Sequence, residues 1–133
     1  MSKSIYIAGS SLELELCESW IAKARDAGFA IALNWPAVVR ANGSGNPRDA
    51  SHEQRLLWSK QDLYAARDAD IFWLLIPTKP TIGAWVEFGA LLYEDDVCKV
   101  VSGDWRASIF TSFADRRFDE HGEAFRWIQD RYQ

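Results

Sequence analysis

The sequence predicts an α/β fold: one three-layer, Rossmann- or flavodoxin-like domain over residues 1–133, with a mainly parallel sheet of about five strands flanked by helices. Three observations predict it. Short β-branched or aromatic runs alternate with helix-length segments along the whole chain. The run Ile-Phe-Trp-Leu-Leu-Ile at 71–76 has no polar alternation, as expected of a strand covered on both faces. At 133 residues, 48% hydrophobic and 26% charged, the chain has the composition of one core-bearing globular unit.

Element by element, Ser-Ile-Tyr-Ile-Ala at 4–8 reads as the first strand, and Gly9-Ser10-Ser11 as the tight loop after it. Residues 12–27 place Leu12, Leu16, Trp20, Ile21 and Ala24 near one helical face, with Gly28 as the C-cap. Residues 29–34 read as the second strand, and the Gly-, Asn- and Pro-rich stretch 35–50 as a long loop. Within it, 43–47 has the composition of a flexible flap. Ser51 is an N-cap candidate for a helix to about Arg67. Asp68 and Asp70 read as a solvated turn before the third strand, 71–76. A helix over 83–93, a fourth strand over 97–102, a short fifth at Phe118-Asp119 and a closing helix over 122–132 complete the chain.

Composition also excludes classes of function. A formal charge of −4 disfavours binding to a nucleic-acid backbone. Cys17, Cys98, His52 and His121 lack metal-ligand spacing, so no metal is expected. The start of the sequence lacks a signal-peptide core, and no apolar run reaches membrane-span length, so the expectation is a cytoplasmic protein with reduced thiols and no membrane partner. Seven Trp are many for this length, which predicts a stacking pocket or a subunit interface.

The residues that point to chemistry lie after the first and third strands, where an open α/β sheet presents its ligands. Gly9-Ser10-Ser11 turns backbone amides toward an anion, or is a plain turn; it has neither GxGxxG nor the Gly-Lys-Ser/Thr of a P-loop. Glu87 falls in an apolar setting, Gly83-Ala84-Trp85-Val86-Glu87-Phe88-Gly89, beside the expected cleft. Asp62 lies mid-helix, where a surface role is the ordinary reading. Trp35 is a candidate platform for stacking a base, Asn34 for reading its edge, and Arg40 for approaching a ligand from the long loop.

Tyr6-Ile7-Ala8-Gly9-Ser10, then Gln61-Asp62-Leu63, then Gly83-x-x-x-Glu87-Phe88-Gly89-Ala90-Leu91, in this order, resemble the nucleoside 2-deoxyribosyltransferase superfamily, from Tyr6 to about Trp127. That group includes 2'-deoxynucleoside 5'-monophosphate N-glycosidases, and TIR domains are distant structural relatives. The resemblance implies that Glu87 is a nucleophile attacking C1' of a nucleoside, by the double-displacement logic of retaining glycosidases. It implies that Tyr6 orients Glu87, and that Asp62 binds and protonates the departing base, a role that needs a raised pKa. Neither metal nor organic cofactor is implied.

At the sugar's 5' end the chain departs from the transferases, which carry an aspartate six residues before the nucleophile and an asparagine on a C-terminal segment. Here those positions hold Thr81 and Ser108, with Ser102 and Ser112 as other registers for the second. With Ser10, these hydroxyls resemble the monophosphate glycosidases, where such residues grip a 5'-phosphate beside Gly9 and Gly83. A carboxylate at position 81 would repel a phosphate by an amount of order 1 kcal/mol or more. The resemblance further implies a homodimer or higher homo-oligomer, with Ser108 completing a neighbour's site and Trp85 and Trp105 as interface candidates. The expected activity is cleavage of a (deoxy)nucleoside 5'-monophosphate to free base and sugar phosphate. A base-exchanging deoxyribosyltransferase, a TIR-like NAD-cleaving enzyme and a non-catalytic nucleotide sensor are the other readings.

Overall fold

The computed structural model describes residues 2–42 and 47–133. Its centre is a five-stranded, all-parallel sheet: β1 (Ser4–Ala8), β2 (Ala30–Ile31), β3 (Ile71–Leu75), β4 (Cys98–Ser102) and β5 (Arg116–Phe118), in the order β2-β1-β3-β4-β5. Five helices flank it: α1 (Leu14–Asp26), α2 (Trp35–Ala41), α3 (His52–Asp68), α4 (Gly83–Ala90) and α5 (His121–Tyr132). Among the described residues no helix is long and apolar enough to cross a membrane.

The central strands are apolar because both their faces are covered. Every residue of β3 is buried, as are Ile5 to Ala8 of β1 and Val100 to Ser102 of β4. Two of the seven Trp, Trp20 and Trp73, fill one layer of this core. Trp73 meets the Trp20 ring edge-on at 5.3 Å and stacks on Phe125 at 6.1 Å. Its indole N–H donates to Ser102 Oγ at 2.9 Å, and Ser102 Oγ lies 2.6 Å from His121 Nδ1. A buried indole thus keeps a polar partner, as it must.

Helix ends follow local chemistry. Beyond α1, Gly28 has φ +98°, and the amides of Gly28 and Phe29 return to the carbonyls of Arg25 and Ala24 at 3.0 and 3.1 Å. This is a Schellman stop, which a side chain at position 28 would strain. Ser51 caps α3 as expected, its Oγ accepting from Gln54 N at 3.1 Å.

Several boundaries differ from the sequence reading. Leu12 is 60% exposed, because residues 11–13 form a 3₁₀ turn ahead of α1 and turn this side chain outward. β2 keeps only two residues, because Asn34 ends the extended segment by capping α2. The expected loop at 35–50 opens with that helix: Asn34 Oδ1 accepts from Ala37 N at 3.4 Å, Pro36 sits in the first turn, and Trp35 and Pro36 are buried. The expected flap falls largely on residues 43–46, outside the described residues. α4 stops at Ala90 and leaves Tyr93 exposed. Asp70 is more than a solvated turn: its carboxylate accepts from Ser4 N at 2.9 Å, tying the starts of β1 and β3 together.

Candidate active site

With strand order 2-1-3-4-5, the connections leaving β1 and β3 depart to opposite sides of the sheet, and the crevice at their carboxyl ends is where such folds bind ligands. The turn after β1 is tight. A Cβ on Gly9 would stand 2.5 Å from Cys17 Sγ, so only glycine lets α1 pack this close. The β3–α4 loop is drawn over this turn by Glu13, whose carboxylate accepts from Thr78 N at 3.1 Å and Thr78 Oγ1 at 2.8 Å. Sequence reasoning missed Glu13, since nothing local announces a contact between two loops far apart in the chain.

Glu87 is on the buried face of α4, and the Tyr6 hydroxyl donates to its Oε2 at 2.5 Å. Tyr6 is fixed by packing: its ring is wholly buried in β1 and stacks on Phe72 at 5.8 Å. Burial, reinforced by the charge of Glu87, pushes the Tyr6 phenol well above its ordinary value, so it remains a proton-bearing donor. Burial raises Glu87 to about 8; the Tyr6 hydrogen bond opposes the shift and the charge of Asp62 adds to it. Asp62, half-buried on α3, is raised to about 6 by burial alone. Tyr6, Asp62 and Glu87, far apart in sequence, therefore form one electrostatically coupled group.

The two carboxyls titrate in the reverse of the order that a nucleophile and an acid would have in isolation. Near neutrality the form with ionised Glu87 and protonated Asp62 is therefore a minority. The short bond from the Tyr6 hydroxyl stabilises the ionised Glu87 within that form.

The other expected site residues divide. Thr81, half-buried, and Gly83, exposed, stand at the start of α4, where Ile82 provides no side-chain cap and the first helical amides remain open. Ser10 is buried and its Oγ accepts from Leu12 N at 3.1 Å, leaving the hydroxyl proton to donate. Trp35 is no loop residue: its indole N–H donates to Ile7 O at 2.7 Å, which fixes the ring beside β1. Asn34 is not free to read a base edge through its oxygen, which caps α2. Arg40 is engaged in a bidentate pair with Glu18, at 2.6 and 2.8 Å.

Ser108 lies apart from the coupled group. It caps a 3₁₀ turn, accepting from Phe110 N at 3.2 Å, and lines a groove of about 600 Å³ with Trp85, Phe88, Gly89 and Phe110. The alternative registers fare no better: Ser102 is wholly buried under Trp73 and His121, and Ser112 is exposed. Trp105 is half-buried against the core, its indole N–H donating to Asp119 Oδ1 at 3.1 Å and Arg106 lying over its ring at 3.9 Å.

Trp58 also escaped the sequence reading. It is one helical turn before Asp62 on α3, and both line a cavity between α2 and α3. The signal was present as Trp-x-x-x-Asp, a spacing that places two side chains on one helical face. The Cys17 thiol is buried and pushed up to about 12, which removes it as a nucleophile. Among the described residues no three His, Cys, Asp or Glu side chains gather as a metal site. No protein-family model matches the chain, and comparison with curated proteins returns no match.

Proposed function

We propose that this protein cleaves the N-glycosidic bond of a (deoxy)nucleoside 5'-monophosphate through a glycosyl ester on Glu87. The observation that carries the reading is the 2.5 Å hydrogen bond from the buried Tyr6 hydroxyl to Glu87, with Asp62 electrostatically coupled to both. In the first step a Glu87 carboxylate oxygen bonds to C1', and the C1'–N bond breaks with its electron pair leaving on the base. Asp62 delivers a proton to the base as it departs. Water then attacks C1', its proton passes to Asp62, and the ester opens to give sugar phosphate and ionised Glu87. Tyr6 acts through Glu87 and is a positioning residue.

The 5'-phosphate is assigned to the open amides at the start of α4, with the Thr81 hydroxyl beside them and Ser10 across the crevice. A homodimer in which Ser108 reaches a neighbour's phosphate subsite belongs to the same reading. Its support is the exposed apolar side chains of Ile82 and Val86 at α4 and of Ile109 and Phe110 next to Ser108, Phe110 lining the same groove as Ser108.

The test is a panel of nucleosides and 5'-monophosphates, with products separated by chromatography. Free base plus sugar phosphate is the expected outcome, abolished in Glu87→Gln. Base exchange with an added free base supports a deoxyribosyltransferase instead, and release of nicotinamide from NAD supports TIR-like chemistry. Tight nucleotide binding without turnover leaves a sensor.

A further inference from the structure

The cavity between α2 and α3 has a shape that bears on which base is released. Its walls are Trp35, Val38, Val39 and Asn42 from one helix, and Trp58 and Asp62 from the other. On α2 these positions follow one helical stripe; on α3 they are one turn apart. Two indoles and two valines make the apolar walls, and Asp62 and Asn42 are the polar lining. Trp35, buried and bonded to Ile7 O on β1 beside Tyr6, and half-buried Asp62 mark the inner end. Asn42 lies two turns from Trp35 along α2, at the exposed rim, its side-chain amide donating to Val38 O at 2.7 Å.

The cavity volume is about 130 Å³. An apolar protein cavity of about 150 Å³ accommodates benzene, a single six-membered ring. We infer that this cavity is the base subsite and that it admits a one-ring pyrimidine while excluding a two-ring purine, with Trp58 as the residue that sets the limit. The inference rests on the N-glycoside reading above. The chemistry at the inner end agrees: the carbonyl at position 2 of a pyrimidine adjoins the glycosidic nitrogen, so a carboxyl between base and Glu87 reaches it. A fused bicyclic base in the same attachment would drive its second ring against Trp58 or the valines of α2.

Binding separates this inference from its parent. Calorimetric titration of Glu87→Gln with pyrimidine and purine deoxynucleoside 5'-monophosphates reads the subsite without requiring turnover. Pyrimidine nucleotides are expected to bind at least ~30-fold more tightly, and wild-type kcat/KM to favour them by ~100-fold. Trp58→Ala is expected to narrow both ratios by ~10-fold or more through a gain for purines, with Trp58→Phe between the two. Equal or tighter purine binding, no binding of either class, or a Trp58→Ala effect that lowers both classes alike overturns the inference. Selective pyrimidine binding without cleavage by wild type upholds the subsite and removes the glycosidase reading; brisk purine cleavage upholds that reading and removes the subsite.

Discussion

At the scale of single residues, the chemistry turns on a carboxyl that burial holds near a pKa of about 8 and a phenol that opposes this by hydrogen bonding. The proposed reaction needs Glu87 ionised and Asp62 protonated. With Asp62 near 6 and Glu87 near 8, kcat/KM is expected to rise with pH up to about 6, stay level, and fall above about 8. Tyr6→Phe removes the bond that favours ionised Glu87, so the alkaline limb should move to higher pH while kcat drops ~10–100-fold; a purely structural tyrosine would leave the limb in place. The same shift has a consequence for stability. A carboxyl raised from 4.5 in the unfolded chain to about 8 in the fold contributes stability that is whole below about 4.5 and lost as pH rises through about 8. Glu87→Gln is therefore expected to be more stable than wild type at pH 9, by up to about 5 kcal/mol or on the order of 15 °C in Tm, and little different at pH 4. Thermal melts at the two pH values check the sign.

At the scale of elements, the site depends on loops and helix starts held in register by a few polar contacts. Glu13 fastens the β3–α4 loop to the turn after β1, bringing the start of α4 and the Ser10 turn to one crevice. Glu13→Ala should raise KM for a monophosphate ~5–20-fold with a smaller change in kcat, because it loosens binding without touching the reacting atoms. Thr81→Asp should raise KM for monophosphates ~10-fold and leave free nucleosides nearly unaffected, since only the phosphate meets the new charge. Steady-state kinetics on paired substrates distinguishes the two. These elements were unequally legible in the sequence. β3 declares itself through unbroken apolar character, and α3 through the Ser51 cap. α2 was hidden by the glycine, asparagine and proline around it, although Asn34 followed by Pro36 is a helix-start pattern. The readings of Asn34 as the end of the second strand and of Arg40 as a loop residue change with it: α2 commits the Asn34 oxygen to a cap and Arg40 to Glu18. Tyr6, Asp62 and Glu87 were legible as an ordered set of motifs, whereas Trp58 and Glu13 act through contacts that only the fold creates.

At the scale of the whole molecule, strand order brings the ends of β1 and β3 together at the reversal point of the sheet, and Tyr6 of β1 meets Glu87 of the helix that follows β3. Ser108 stands on a separate groove with exposed apolar side chains nearby, so its part in the proposed reaction is a question of assembly. If it serves a neighbouring copy, mixing Glu87→Gln with Ser108→Asp subunits, each inactive alone, should restore about a quarter of wild-type activity in exchanged dimers; no restoration after subunit exchange would confine the site to one chain. The central claim, a covalent sugar on Glu87, is tested most directly by rapid-quench intact-mass and peptide mass spectrometry during turnover of a deoxynucleoside monophosphate. An added mass of one deoxyribose phosphate residue, mapped to Glu87 and absent from Glu87→Gln, is the predicted result. Continued cleavage with that side chain unmodified, or with the adduct on another residue, would contradict it.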